Sequence, residues 1–187
     1  MPTLTTNTPE VAYLMERDWR LRHLIEAVGD LSYEVSGSAF EHVAHSVIEQ
    51  MLSMRAGRTI EGRLRGLCGG EITGEAVLSL SLQELARTMP EQRLQGLAML
   101  SDDGVRSALT AVRGIGRWTA DMFLIFYLER PDVLPVEDGA VRQVFGWLYG
   151  APLTDDNVRE VVCSLWKPYS STAVRYMYRA LNSGLVC

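Results

Sequence analysis

The sequence predicts an all-α fold. Three observations carry that prediction. Phe40, Val43, Ala44, Val47, Ile48, Met51 and Leu52 recur at helical spacing, so residues 39–54 read as an amphipathic helix with one buried face. Alternating apolar and polar residues between hairpin turns, the mark of strands, are nearly absent. Glycines at Gly69-Gly70, Gly114-Ile115-Gly116 and Gly150, and prolines at Pro131, Pro135 and Pro152, punctuate the periodic stretches rather than interrupt them. Residues 78–87, 105–112 and 158–165 read as further helices. Asp102 or Asp103 can cap the helix running to Val112, Arg113-Gly114-Ile115-Gly116 makes a tight turn, and residues 117–128 form a second helix. Leu134-Pro135 leads an extended approach to Asp138, which can cap a helix over residues 139–149.

At 187 residues the chain can bury a sizeable core in one domain or in two small lobes. Its 47% hydrophobic and 22% charged residues are ordinary for a globular protein, and no apolar run is long enough to span a membrane. The opening MPTLTTNTPE has neither a basic nor an apolar leader region, so a cytoplasmic setting is expected, nucleoid-associated if the source is bacterial. Cys68, Cys163 and Cys187 lack metal-site spacing and lie far from His23, His42 and His45 in sequence, so no metal centre is expected. The net charge of −5 argues mildly against a nucleic-acid partner, since phosphate binding normally leaves a basic footprint. Arg55, Arg58, Arg63 and Arg65 nevertheless cluster in one short stretch, which reads equally as an arginine-lined face or as a solvated helix surface.

The segment around Gly114-Ile115-Gly116 carries the functional argument. Two glycines between helices permit close approach by a ligand and expose amides at a helix N-terminus, where a phosphate can sit. A phosphate grip of that kind positions a duplex without reading its sequence. The whole run from Val112 to Asp138, VRGIGRWTADMFLIFYLERPDVLPVED, resembles the signature of the helix-hairpin-helix DNA glycosylases, especially the alkylpurine branch typified by DNA-3-methyladenine glycosylase II. Weaker likeness reaches upstream to Gln50 and downstream through Trp166-Lys167-Pro168-Tyr169.

The resemblance implies a single glycosylase domain over residues 1–187. One lobe would cover about residues 36–135, with the hairpin at 103–128, and the other residues 1–35 plus 136–187, with the target base entering a cleft between them. It implies a monofunctional enzyme that hydrolyses the N-glycosidic bond of alkylated purines such as 3-methyladenine and 7-methylguanine, with Asp138 as the catalytic carboxylate and Glu137 as a supporting acid beside it. Gly114, Ile115, Gly116 and Arg117 would hold the DNA backbone, and Gln50 and Met51 would probe the duplex; Met51 also fits the apolar stripe of its helix. Trp118, Met122 and Tyr178 would line the base pocket, where aromatic faces attract a positively charged methylated base, although core packing suits each as well.

In lysine-dependent relatives the position of Trp118 holds the nucleophilic amine. The sole lysine here is Lys167, so hydrolysis rather than strand-cleaving lyase chemistry is expected. No cofactor is required on this reading, beyond a monovalent cation that the hairpin could hold. The expected partner is double-stranded DNA with alkylated bases, met by a monomer and with no membrane involved. The chain departs from the pattern before the hairpin, where TMPEQRLQGLAMLSDDG stands in place of an additional helix, and after Tyr169, where Ser170-Ser171 replace a common arginine. The competing reading is a non-catalytic or weakly active helix-hairpin-helix DNA-binding protein.

Overall fold

A computed structural model describes residues 2–33, 37–49, 62, 64–66, 68–74, 91–112 and 115–186. Gln50, Met51, Gly114, three of the four clustered arginines (Arg55, Arg58, Arg63) and the helix expected at 78–87 lie outside the described residues. In chain order the elements are β1 (Thr3–Leu4), α1 (Pro9–Arg17), α2 (Trp19–Val28), β2 (Leu31–Ser32), α3 (Ala39–Glu49), α4 (Glu91–Gly96), α5 (Asp102–Thr110), α6 (Arg117–Met122), α7 (Gly139–Tyr149), α8 (Asp155–Asn157) and α9 (Ser170–Asn182). α6 continues through a π-helical turn at Phe123–Tyr127, and α8 through another at Val158–Trp166. The expected all-α class holds, with one addition. β1 and β2 pair antiparallel, Thr3 opposite Ser32 and Leu4 opposite Leu31. Strands of two residues are too short to show a period of two.

The chain divides into two compact units, one formed by Met1–Val35 with Arg130–Cys187 and the other by Ser36–Glu129. The first unit is built from α1, α2, α7, α8 and α9. Its core is Val11, Leu14, Leu21, Leu24, Ile25, Val141, Val144, Phe145, Trp166, Val174, Tyr176 and Met177, all buried. Local chemistry sets these helices. Pro9 opens α1, where a missing amide costs nothing. Asp18 ends α1 and caps α2, its Oδ1 accepting from the amides of Arg20 and Leu21 at 3.1 and 3.2 Å. Gly150 closes α7 in the left-handed region at φ 63°, which a residue with a Cβ would resist.

The Asp18 carboxylate is 1% exposed, and its Oδ2 also accepts from the Tyr149 hydroxyl and from Trp166 Nε1, the latter at 3.0 Å. One buried acid thereby joins α2, α7 and the π-turn after α8. Burial first, then the hydrogen bond and charge of Asp18, push the Tyr149 hydroxyl well above the usual tyrosine range, with Trp166 and Arg20 offsetting part of the rise.

The second unit packs Phe40, Val43 and Ala44 of α3 with Leu94 and Leu97, Val105 and Leu109 of α5, Ala120 and Met122 of α6, and Phe123, Leu124 and Ile125 of the π-turn. The segment before the hairpin is a short helix, α4, followed by a 3-10 turn at Leu97–Met99. The cap of α5 is Ser101, whose Oγ accepts from the Gly104 amide at 3.2 Å, and not Asp102 or Asp103 as expected from the sequence. The two aspartates instead occupy the first turn, where negative charge favours the helix dipole.

Candidate active site

In the first unit, α7 begins at Asp138. Its backbone is extended (φ −70°, ψ 126°), and its Oδ1 accepts from the Val141 amide at 2.8 Å, the capping bond the sequence predicts. Asp138 is 6% exposed, whereas neighbouring Glu137 is exposed. A buried carboxylate needs hydrogen-bond donors. Besides the amide, Asp138 has the Tyr178 hydroxyl, which donates to Oδ2 at 2.7 Å from α9. Of the sequence-predicted site residues, the structure therefore brings Asp138 and Tyr178 into direct contact. It gives Tyr178 a hydrogen-bonding partner where the sequence reading had only an aromatic face.

The loop leading to Asp138 is laced to its neighbours. Ser171 donates its amide to Pro131 O at 3.0 Å and accepts with Oγ from the Val133 amide at 2.9 Å, while Ser170 Oγ donates to Asp132 Oδ1 at 2.5 Å. The Asp138 amide reaches Pro135 O at 3.0 Å, and Arg142 Nε reaches Val136 O at 2.7 Å. Ser170 and Ser171 are both buried. Sequence reasoning counted them only as a lost arginine; their partners are distant in the chain, and no local signal announces them. Lys167 Nζ lies 3.6 Å from Asp132 Oδ2 on the same loop.

The hairpin lies in the second unit, between α5 and α6. Ile115 closes the turn by donating its amide to Val112 O at 3.0 Å, and its side chain is buried, so it anchors the turn in the core. Gly116 caps α6 at φ −92°, ψ 174°, extended backbone that any residue adopts. The backbone at Gly116 therefore does not call for glycine. A Cβ there would meet nothing within 4 Å. What glycine provides at this position is a bare surface at a helix start.

One salt bridge joins the hairpin's helices and a second braces α5. Arg106 of α5 donates Nε to Asp121 Oδ1 of α6 at 2.7 Å and Nη1 to Asp103 Oδ1, within α5, at 2.9 Å. Burial works against the Arg106 charge, but the hydrogen bonds and charges of Asp121 and Asp103 outweigh it and hold the guanidinium above its ordinary range. Asp121 is 2% exposed; Arg117 Nε stands 3.9 Å from its other oxygen and is largely exposed. Nothing in the one-dimensional pattern distinguished Asp121 or Arg106 as a clamp. Trp118 is half-buried, and Met122, one turn on, is buried. No cluster of three or more His, Cys, Asp or Glu side chains suited to a metal ion occurs among the described residues, and no described helix is long and apolar enough to cross a membrane.

Comparison with known proteins agrees with this geometry. No protein-family model matches the chain. The sequence is 24% identical to DNA-3-methyladenine glycosylase 1 of Schizosaccharomyces pombe across 94% of this chain and 88% of that protein. The fold matches the crystal structure of a DNA-3-methyladenine glycosidase from Bacillus halodurans with a TM-score of 0.74 and 28% identity, covering 99% of this chain and 94% of the other. It also matches the S. pombe 3-methyladenine DNA glycosylase solved in complex with abasic DNA, with a TM-score of 0.80 and 24% identity over 94% of this chain and 97% of that one. With its hairpin and its capping aspartate, the chain resembles these DNA-3-methyladenine glycosylases in sequence and fold over nearly its whole length.

Proposed function

We propose that this protein is a monofunctional DNA glycosylase that releases alkylated purines, 3-methyladenine and 7-methylguanine foremost, from double-stranded DNA in base excision repair. The observation that carries the reading is the buried Asp138 at the start of α7, with a hydrogen bond at each carboxylate oxygen. A purine methylated on a ring nitrogen is positively charged and departs without a proton donor. The enzyme then needs a fixed negative charge beside the sugar as positive charge develops there, and an acceptor for the proton of the attacking water. Asp138 supplies both.

The remaining residues fit a hydrolytic route. A duplex base must leave the stack before it reacts, and the hairpin at Ile115–Arg117 is proposed to hold the backbone while Trp118, Met122 and Tyr178 meet the extruded base. Trp118 occupies the place of a nucleophilic lysine, and Lys167, the sole lysine, is engaged with Asp132. No Schiff base is expected. The reaction as proposed consumes only water, acts as a monomer, and needs no metal or nucleotide; a monovalent cation at the hairpin would serve DNA binding alone.

The test is release of free base from methylated duplex DNA in the presence of a chelator, read by chromatography, with borohydride added in parallel to trap any covalent intermediate. Free 3-methyladenine or 7-methylguanine without a trapped complex is the expected result. A folded preparation that binds abasic-site DNA but releases no base from any methylated substrate would replace this reading with that of a DNA-binding protein.

A further inference from the structure

Tyr178 and the two serines near the start of its helix act on one loop. Ser171 and Tyr178 are seven residues apart on α9, two turns along nearly the same face and about 10 Å apart in rise. Ser171 ties the loop at Pro131 and Val133, and Tyr178 ties it at Asp138. One face of one helix thus pins both ends of the segment that presents the carboxylate.

The Tyr178 bond has a specific mechanical effect. The torsion that swings an aspartate's carboxylate plane is soft and broadly populated. The Val141 amide holds Oδ1 and the Tyr178 hydroxyl holds Oδ2, so bonds at both oxygens fix the plane. The donor is also a neutral phenol. A lysine or arginine in its place would fix the plane while cancelling the charge that the reaction uses, whereas tyrosine fixes it and leaves the charge intact.

From this geometry we propose that Tyr178 is a positioning residue, working through its hydroxyl on Asp138 and not simply through its ring on the base. The assignment rests on the glycosylase reading of Asp138. Its decisive feature is that phenylalanine keeps the ring and removes only the hydroxyl. Tyr178→Phe is expected to slow single-turnover base release about tenfold or more, as loss of preorientation does. Affinity for abasic-site DNA should stay near that of the wild type, and the unfolding temperature should fall only by the few degrees that one lost hydrogen bond costs.

A thermodynamic cycle with Asp138→Asn tests whether the effect passes through the carboxylate. The Asp138→Asn/Tyr178→Phe double variant should be no slower than Asp138→Asn alone. Full-speed release by Tyr178→Phe, or losses that multiply in the double variant, would overturn the positioning role while leaving the glycosylase reading in place. A wild-type protein that releases no base would instead overturn the glycosylase reading and the positioning role with it.

Discussion

Replacing Asp138 by asparagine separates charge from structure, and the hydrogen bonds at this site allow the separation to be quantified. Asn can present its oxygen to the Val141 amide, and its amide nitrogen then faces the Tyr178 hydroxyl, which can rotate from donor to acceptor. Both of these bonds have a counterpart in the variant. Asn and Asp cap helices about equally well, so the stability loss should be about 1 kcal/mol or less, mostly the lost attraction between the charge and the helix dipole. For a chain of this size that is about 2–4 °C in unfolding temperature. The rate should fall on the order of 100-fold or more, because a preorganised charge at the reacting centre is gone.

Asp18→Asn is the internal control. Asp18 Oδ2 faces two donors, and while the Tyr149 hydroxyl can rotate, the Trp166 indole N–H donates only and would meet an amide NH2. That leaves a buried group unsatisfied, at a cost of roughly 1–3 kcal/mol. Single-turnover release on methylated duplex DNA and thermal unfolding, run on both variants, give the comparison: Asp138→Asn stable and slow, Asp18→Asn less stable and, below its unfolding transition, near full rate. An Asp138→Asn protein that excises bases at the wild-type rate refutes the catalytic assignment. One that unfolds as readily as Asp18→Asn refutes the bond-by-bond argument.

Other expectations follow from the same geometry. Glu137→Gln should lose far less activity than Asp138→Asn, since Glu137 is exposed; equal losses would show that both carboxylates act. Gly116→Val should fold with an unfolding temperature close to wild type, because its backbone angles suit any residue and a Cβ meets nothing. Its affinity for abasic-site DNA should drop with a shallower salt dependence, and unchanged binding across a salt titration would remove the hairpin from the interface. Asp121→Ala should cost about 1–3 kcal/mol, since Arg106 keeps Asp103 but loses its buried partner, while Arg106→Met with Asp121→Leu should recover much of that loss in a denaturant titration.

The Tyr176 hydroxyl is pushed up to about 12 by burial and by the charge of Asp30, above its value in an unfolded chain near 10. The folded state therefore holds that proton more tightly. The resulting stability is complete below about pH 10 and is lost as pH rises from there through about 12. Tyr176→Phe should flatten the unfolding temperature across that window relative to wild type.

The elements that the sequence made legible are those whose signals are local. α7 was read at its full length because Asp138 starts it, Gly150 stops it, and both act within a few residues. The hairpin was legible for the same reason. α1 and α2 were not, because a single residue, Asp18, ends one helix and caps the next, leaving no loop to mark the break. α9 opens Ser-Ser-Thr after Tyr169, residues that favour turns as readily as helices, and no side chain caps it. At the site, Asp138 was legible from its cap and its motif. The hydroxyl of Tyr178 was not, since its partner lies 40 residues away, and neither was the pairing of Arg106 with Asp121 across the hairpin. Contacts of that kind are set by packing, and no spacing in the chain encodes them.

The π-turns at Phe123–Tyr127 and Val158–Trp166 give each unit a reserve of length. In each, an amide bonds five residues back, Leu128 to Phe123 at 2.9 Å and Lys167 to Val162 at 3.1 Å, so the helix carries one more residue than a regular α-turn holds. Deleting one residue inside either turn would let the helix relax to ordinary α geometry without a break. Such a deletion at 123–127 would leave Leu128 on nearly the same face relative to Trp118 and Met122, because the α-turn closes with one residue fewer than the π-turn. These are therefore the places where the helices can lose a single residue and survive as helices, with the side chains on either side keeping their faces.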